Sequence, residues 1–136
     1  MRDRNLSILV ADDQECMRLL FTRVLRSMGY ACDTAEDGRD CLLKFTQRDY
    51  DVVFLDLVMP EIDGETVLRW LRSQHPTTHV IVTSIQDDEF AIQNVLRLGA
   101  AAYIIKPFTA QEIQSVMRTL ENRRTADGLS MVAVSA

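Results

Sequence analysis

Three aspartates stand where apolar runs end: Asp12 and Asp13 directly after Leu6 to Ala11, and Asp56 directly after Val52, Val53, Phe54 and Leu55. Carboxylates clustered at low dielectric repel one another and are costly to ionise, so a cation belongs among them. A candidate, Lys106, follows a third apolar run, Ala101 to Ile105, and Ser84 stands just beyond a fourth, Val80 to Val82. Oxygen ligands without histidine or thiolate suit a hard cation, and two or three carboxylates with room for water suit Mg²⁺ better than Zn²⁺. A carboxylate can also attack phosphorus, and the oxygens of a transferring phosphoryl group then need a metal, an ammonium and a hydroxyl as partners. Asp56, Mg²⁺, Lys106 and Ser84 make up that set. Taken singly, Asp13 could cap a helix, Asp56 open a turn, Ser84 start a loop and Lys106 be solvated. The joint pattern outweighs these separate readings if the fold brings the residues to one crevice.

The four apolar runs are near-continuous, as in strands buried on both faces. Between the first two, Met17, Leu20, Phe21, Val24, Leu25 and Met28 recur at helical spacing and predict a helix ending at Gly29. Tyr30 to Ala35 alternates apolar with polar residues, as an edge strand does, and Asp40 to Arg48 predicts a short helix. Further helices are expected from Gly64 to Gln74, ahead of Pro76, and from Asp88 to Leu98, stopped by Gly99. Thr109 and Glu112 form a capping box opening a last helix, whose apolar face is Ile113, Val116, Met117 and Leu120. Five strands alternating with five helices predict an α/β domain whose parallel sheet is covered on both faces by right-handed crossovers. Ligands of such sheets bind beyond the carboxyl ends of the strands, where Asp12, Asp13, Asp56, Ser84 and Lys106 all fall.

At 136 residues the chain suits one domain. We assign residues 1–124 to it and 125–136 to a tail or the start of a linker. A net charge of −5 argues against direct nucleic-acid binding, because the phosphate backbone is held mainly by lysine and arginine. No apolar run is long enough to span a bilayer, and Met1 to Arg4 leads into a short strand, not a signal-peptide apolar region, so a cytoplasmic protein is expected. The three cysteines, Cys16, Cys32 and Cys41, lack a Cys-x-x-Cys pair and read as small buried hydrophobes. His75 and His79 flank Pro76 without metal-ligand spacing and read as surface loop residues. The five glycines form neither a dinucleotide nor a Walker pattern, which disfavours nucleotide binding.

Three segments together resemble the receiver domain of bacterial two-component response regulators, over residues 5 to 123. Asp56-Leu57-Val58-Met59-Pro60-Glu61-Ile62-Asp63-Gly64 is similar to that family's phosphoacceptor segment, Ile8 to Asp13 to its acidic pair, and Gly99 to Phe108 to its Lys-Pro segment. The resemblance implies a flavodoxin-like fold with strand order 2-1-3-4-5. It implies that Asp56 accepts phosphate from a phosphohistidine, while Asp13, Asp56 and the Val58 carbonyl bind Mg²⁺ and Asp12 holds a metal-bound water. Lys106 would then pair with the phosphoryl oxygens, aimed by a cis Lys106-Pro107 bond. Ser84, which precedes Gly99 by 15 residues and Lys106 by 22, matches the switch hydroxyl better than Thr83 does. Tyr103 matches the aromatic that turns inward with it, although core packing alone would also explain that residue. Asp63 and Gly64 are expected to serve a local cap and turn.

The chain departs from the family at Ile85, where a small residue is usual, and a branched side chain there narrows access to Asp56. Val58 and Gln86 fill the two positions flanking the phosphoryl group. An apolar Val58 cannot orient an attacking water, so slow self-dephosphorylation is expected. Implied partners are a sensor histidine kinase or phosphotransfer protein, a downstream protein or output domain, and a second copy on phosphorylation. Phosphorylation would remodel the surface of the fourth helix, fifth strand and fifth helix. Residues 124–136 are too few for an output domain, so either a stand-alone receiver or one separated from its output domain is expected. The resemblance implies a phosphoacceptor, not an enzyme acting on other molecules. A phosphatase of the haloacid dehalogenase type would need a second aspartate where Val58 stands. A pure interaction module is the other alternative, against which Asp12, Asp13, Asp56 and Lys106 all speak.

Overall fold

The computed structural model describes residues 6–123. Strands and helices alternate as β1 (Ile8–Ala11), α1 (Glu15–Ser27), β2 (Cys32–Ala35), α2 (Gly38–Gln47), β3 (Val52–Asp56), α3 (Gly64–Gln74), β4 (His79–Ser84), α4 (Glu89–Arg97), β5 (Ala102–Ile105) and α5 (Ala110–Arg123). All neighbouring strands pair in parallel, in the order β2-β1-β3-β4-β5. This is the flavodoxin-like α/β order expected above. Residues 125–136, read as a tail or linker, lie outside the described residues.

Strand periodicity divides the core into two layers. Leu9, Val53, Leu55, Val80, Val82 and Tyr103 pack with Phe45 of α2, Leu68 of α3 and Val95 of α4. The alternate residues Ile8, Val10, Val52, Phe54, Ile81, Ala102 and Ile104 pack with Phe21 of α1 and Ile113 and Met117 of α5. With both faces covered, every position of a central strand must be apolar, which explains the unbroken runs in the sequence. β2 lies at the sheet edge, and there Cys32, Asp33 and Thr34 are only half-buried. Lys44 of α2 donates to the Thr34 carbonyl at 2.7 Å, occupying one edge group that could otherwise pair with another strand.

Side-chain caps fix where the helices start. Asp37, Asp63 and Asp88 accept from the backbone N–H of Asp40, Thr66 and Ala91, at the openings of α2, α3 and α4. The Asp37 cap is why α2 begins at Gly38 and not at Asp40 as the sequence suggested. Thr109 and Glu112 form the expected box, with Glu112 Oε1 accepting from the Thr109 N–H at 3.0 Å and Thr109 Oγ1 from the Glu112 N–H at 3.3 Å. Gly99, past the end of α4, has φ +111°, and a Cβ there would lie 2.4 Å from Cδ of Arg72. The Arg72 guanidinium donates to the carbonyls of His75 and Thr78, tying the end of α3 to the approach to β4.

Two expectations fail. His75 is no surface loop residue: it caps the C-terminus of α3 with its side chain 18% exposed, and its ring lies 4.9 Å from that of Phe45 and 5.2 Å from that of Trp70. Apolar contact wins because the imidazole's polar edge still reaches Asp49, 3.4 Å from Nδ1. Of the three cysteines only Cys41 is buried; Cys32 is intermediate, and Cys16, just off the apolar stripe of α1, is exposed. Among the described residues no helix is long and apolar enough to cross a membrane.

Candidate functional site

The strand order reverses direction between β1 and β3, opening a crevice at their carboxyl ends. Ala11 is in register with Leu55, so the next residues on the two segments are Asp12 and Asp56. One carboxylate oxygen from each of Asp12, Asp13 and Asp56 can be chosen so that all lie within 4.8 Å of one another. Asp12 and Asp56 are buried, at 1% and 5% exposure, whereas Asp13 faces solvent. Lys106 reaches in from the end of β5, its Nζ 3.2 Å from Oδ2 of Asp12 and 3.3 Å from Oδ2 of Asp56. Its backbone N–H donates to the Ser84 carbonyl at 2.7 Å, and the Lys106-Pro107 bond is cis. A cleft of about 240 Å³ lies over these groups, lined by Asp13, Gln14, Asp56, Val58, Ile85 and Lys106.

Burial pushes the Asp56 carboxyl up to about 6, and the negative charge of Asp12 adds to the rise. Lys106 and the Val58 N–H, 3.3 Å from Asp56 Oδ1, pull in the other direction without cancelling it. One lysine therefore stands against three carboxylates, a charge imbalance that a divalent cation would correct. The donor set consists only of oxygens, two of them on nearly buried strand ends and one solvent-facing, and this chemistry fits Mg²⁺ with water completing its shell.

Ser84 ends β4 and is 1% exposed; Thr83, equally buried, is the residue in register with Asp56. The Ser84 hydroxyl accepts from the Gln86 N–H at 3.1 Å and bonds to the Tyr103 phenol. Tyr103, fully buried, donates to the Gln86 carbonyl at 2.8 Å, and burial raises its phenol pKa. Ser84 and Tyr103 therefore hold the loop after β4 and do not line the cleft. Gln86 contributes through its backbone, while Val58 and Ile85 form the cleft's apolar rim, 64% and 74% exposed.

Sequence reasoning missed three contributors. Gln14 lines the cleft and its N–H donates to Asp12 Oδ1 at 2.9 Å; its place directly after the acidic pair was the available signal. Arg18, one turn into α1, donates to the Asp12 carbonyl at 2.7 Å. Gly64 does more than start α3, since a Cβ there would lie 2.4 Å from the Asp56 carbonyl oxygen and 2.6 Å from Cα of Leu57. Asp63 does cap α3 as expected.

Residues 8–118 match the sequence profile of the response regulator receiver domain. The chain belongs to that family. Among curated relatives, the alkaline phosphatase synthesis transcriptional regulatory protein PhoP of Bacillus subtilis strain 168 is 34% identical over 119 residues, covering 88% of this chain and 50% of PhoP. The receiver domain of the Francisella response regulator 1452 superposes with a TM-score of 0.83 at 31% identity, covering 88% of this chain and 99% of that one. The CheX-CheY-BeF3-Mg²⁺ complex from Borrelia burgdorferi contains a chain that superposes with a TM-score of 0.80 at 29% identity, covering 85% of this receiver chain and 89% of that chain. This receiver chain spans about half the length of the curated relatives it matches.

Proposed function

We propose that Asp56 accepts a phosphoryl group from the phosphohistidine of a sensor histidine kinase or phosphotransfer protein, and that the modified domain signals to a downstream protein or output domain. The observation that carries this reading is the ion-paired Lys106 shared by the buried carboxylates Asp12 and Asp56, with Asp13 alongside. An oxygen of Asp56 forms the P–O bond while the N–P bond to the donor imidazole breaks; the electron pair stays on that nitrogen, which takes up a proton. Asp13, Asp56 and the Val58 carbonyl would hold Mg²⁺, with Asp12 holding one of its waters. Bound there, the cation would neutralise charge on the phosphoryl oxygens, as the Mg²⁺ named with the Borrelia complex suggests. Lys106 supplies the second positive charge and orients the oxygens.

Ser84 then turns from the Gln86 N–H toward the phosphoryl oxygen, while Tyr103, expected to turn inward with it, already lies fully buried with its hydroxyl on the Gln86 carbonyl. That exchange of partners would bias the surface made by α4, β5 and α5, the face on which a downstream protein or a second copy docks. Val58 offers no group to hold an attacking water, and together with the rim side chain of Ile85 it slows hydrolysis of the aspartyl phosphate. Incubation with acetyl phosphate and Mg²⁺ tests the reading: intact mass should rise by one phosphoryl group, and the gain should vanish in Asp56→Asn. Beryllofluoride with Mg²⁺ should change Trp70 fluorescence. If neither effect appears and kinases also fail, the chain is an interaction module that keeps the fold. Steady turnover of an added phosphomonoester would instead favour a phosphatase.

A further inference from the structure

Leu57 to Asp63 join β3 to α3 and carry the Val58 carbonyl proposed as a ligand of Mg²⁺. One end of this loop is tied down: the Leu57 N–H donates to the Thr83 carbonyl at 3.0 Å, and the Leu57 carbonyl accepts from the Gly64 N–H at 2.9 Å. Beyond it Val58, Pro60, Glu61 and Asp63 are exposed, and Glu61 takes φ +69°, a left-handed conformation that is costly for a residue with a side chain. An exposed segment with such strain keeps its path only where its surroundings over-determine it.

The first turn of α2 supplies that constraint. Gly38 is buried, and a Cβ there would lie 2.0 Å from the Ile62 carbonyl oxygen and 2.8 Å from its carbon. Helix backbone thus lies directly against loop backbone, an approach that only glycine permits. Arg39 adds an ion pair at 3.8 Å to Glu61, but both side chains are well exposed and it contributes little. The helix is the firmer partner. Asp37 accepts from the Asp40 N–H through its side chain and from the Cys41 N–H through its carbonyl, and Cys41 and Phe45 lie in the core. Resting on the phosphoacceptor reading, we propose that Gly38 is a positioning residue for the cation, one that lets α2 fix the return of the loop at Ile62 and so keeps the Val58 carbonyl in place to join Asp13 and Asp56. A side chain at position 38 would displace the exposed loop, and the ligand carbonyl with it. Coupling between two sites is reciprocal, so a cation that needs the loop in place must in turn steady the first turn of α2.

Mg²⁺ affinity, separated from stability, distinguishes this role from a merely structural one. Gly38→Ala should raise the Mg²⁺ Kd, read from Trp70 fluorescence and from the Mg²⁺-induced rise in Tm, by about tenfold or more. Gly99→Ala is the control: its φ of +111° strains any side chain, and it precedes β5 at the end of the sheet opposite the crevice. It should lower the urea midpoint in EDTA and leave the Mg²⁺ Kd as it was. A second measurement uses the unaltered chain, so it stands even if Gly38→Ala does not fold. Saturating Mg²⁺ should slow hydrogen exchange of the Asp40 and Cys41 amides several-fold more than that of Ala91 and Ile92, which are held by Asp88 in the same way at the start of α4. A Gly38→Ala chain that is less stable in EDTA but binds Mg²⁺ as before would overturn the proposal. So would an equal loss of affinity in Gly99→Ala, or equal protection of α2 and α4. An unaltered chain that takes up phosphate at Asp56 yet shows no response to Mg²⁺ would overturn the metal assignment beneath it, and one that acetyl phosphate fails to label would overturn the phosphoacceptor reading itself.

Discussion

Asp56 is held by the fold in a setting that disfavours its own charge. Its pKa rises from the usual 3.8 to about 6, chiefly through burial and secondly through Asp12. A raised carboxyl pKa means that the folded state binds more protons than the unfolded one between those values. Stability of the metal-free protein should therefore fall as pH rises from about 4 to 6, by up to about 3 kcal/mol. Urea melts in EDTA at pH 4.5 and pH 7 should show this loss, and Asp56→Asn should remove that part of it. If the variant kept the same pH profile, the proton uptake would have to reside on another group. Val58 can be probed through phosphate loss: Val58→Asn gives an amide at the cleft wall and should hasten dephosphorylation, whereas Val58→Ala should change it little. An unchanged rate in Val58→Asn would show that the rim does not limit water. Asp12, Asp13, Asp56, Ser84 and Lys106 were all visible in the sequence, because each stands at or just past the end of an apolar strand run. Gln14 was not, because it contributes a backbone N–H that any residue carries, and Arg18 was not, because its guanidinium meets a backbone carbonyl that no residue type marks.

At the level of elements, helix starts obey local chemistry and the loops obey their neighbours. Thr109→Ala should cost about 1 kcal/mol by removing the box that opens α5, measurable as a lower urea midpoint with an unchanged slope. Gly64→Ala is a different case. Its Cβ would press on the Asp56 carbonyl oxygen and on Leu57 and push apart the segment leading to the Val58 carbonyl. We expect a loss of about 1–3 kcal/mol from overpacking together with weaker Mg²⁺ binding, followed by titration of Trp70 fluorescence. Weaker folding with unaltered Mg²⁺ affinity would confine Gly64 to its turn. Periodicity together with stop and cap signals located every element, but the start of α2 shifted to Gly38 because Asp37, not a residue of the apolar pattern, supplies the cap. His75 was misplaced for a related reason: only the meeting of α2 with α3 puts Phe45 and Trp70 around it.

For the whole molecule, the acidic crevice exists because parallel strands on either side of the reversal point end together, so residues 12 and 56 become neighbours. A cation bound only by the folded chain must stabilise it: at tenfold its Kd, Mg²⁺ should add about 1.4 kcal/mol and raise Tm by a few degrees. Asp13→Asn should abolish most of that rise in a thermal melt, and a Tm insensitive to Mg²⁺ in the unaltered chain would contradict the assignment of the acidic cluster. The amino-acid sequence by itself determined the order and type of the elements, the parallel sheet and the acids and lysine at its ends. Those features follow from hydrophobic period and from the rule that buried runs end in polar turns. Only the tertiary structure decided that Lys106 is shared between Asp12 and Asp56, that Gly64 abuts the Asp56 carbonyl, and that Ser84 and Tyr103 hold the loop after β4. It alone leaves Val58 and Ile85 standing open at the rim. These are distances between segments far apart in the chain, and residue spacing carries no information about a gap that side-chain packing and strand register set together.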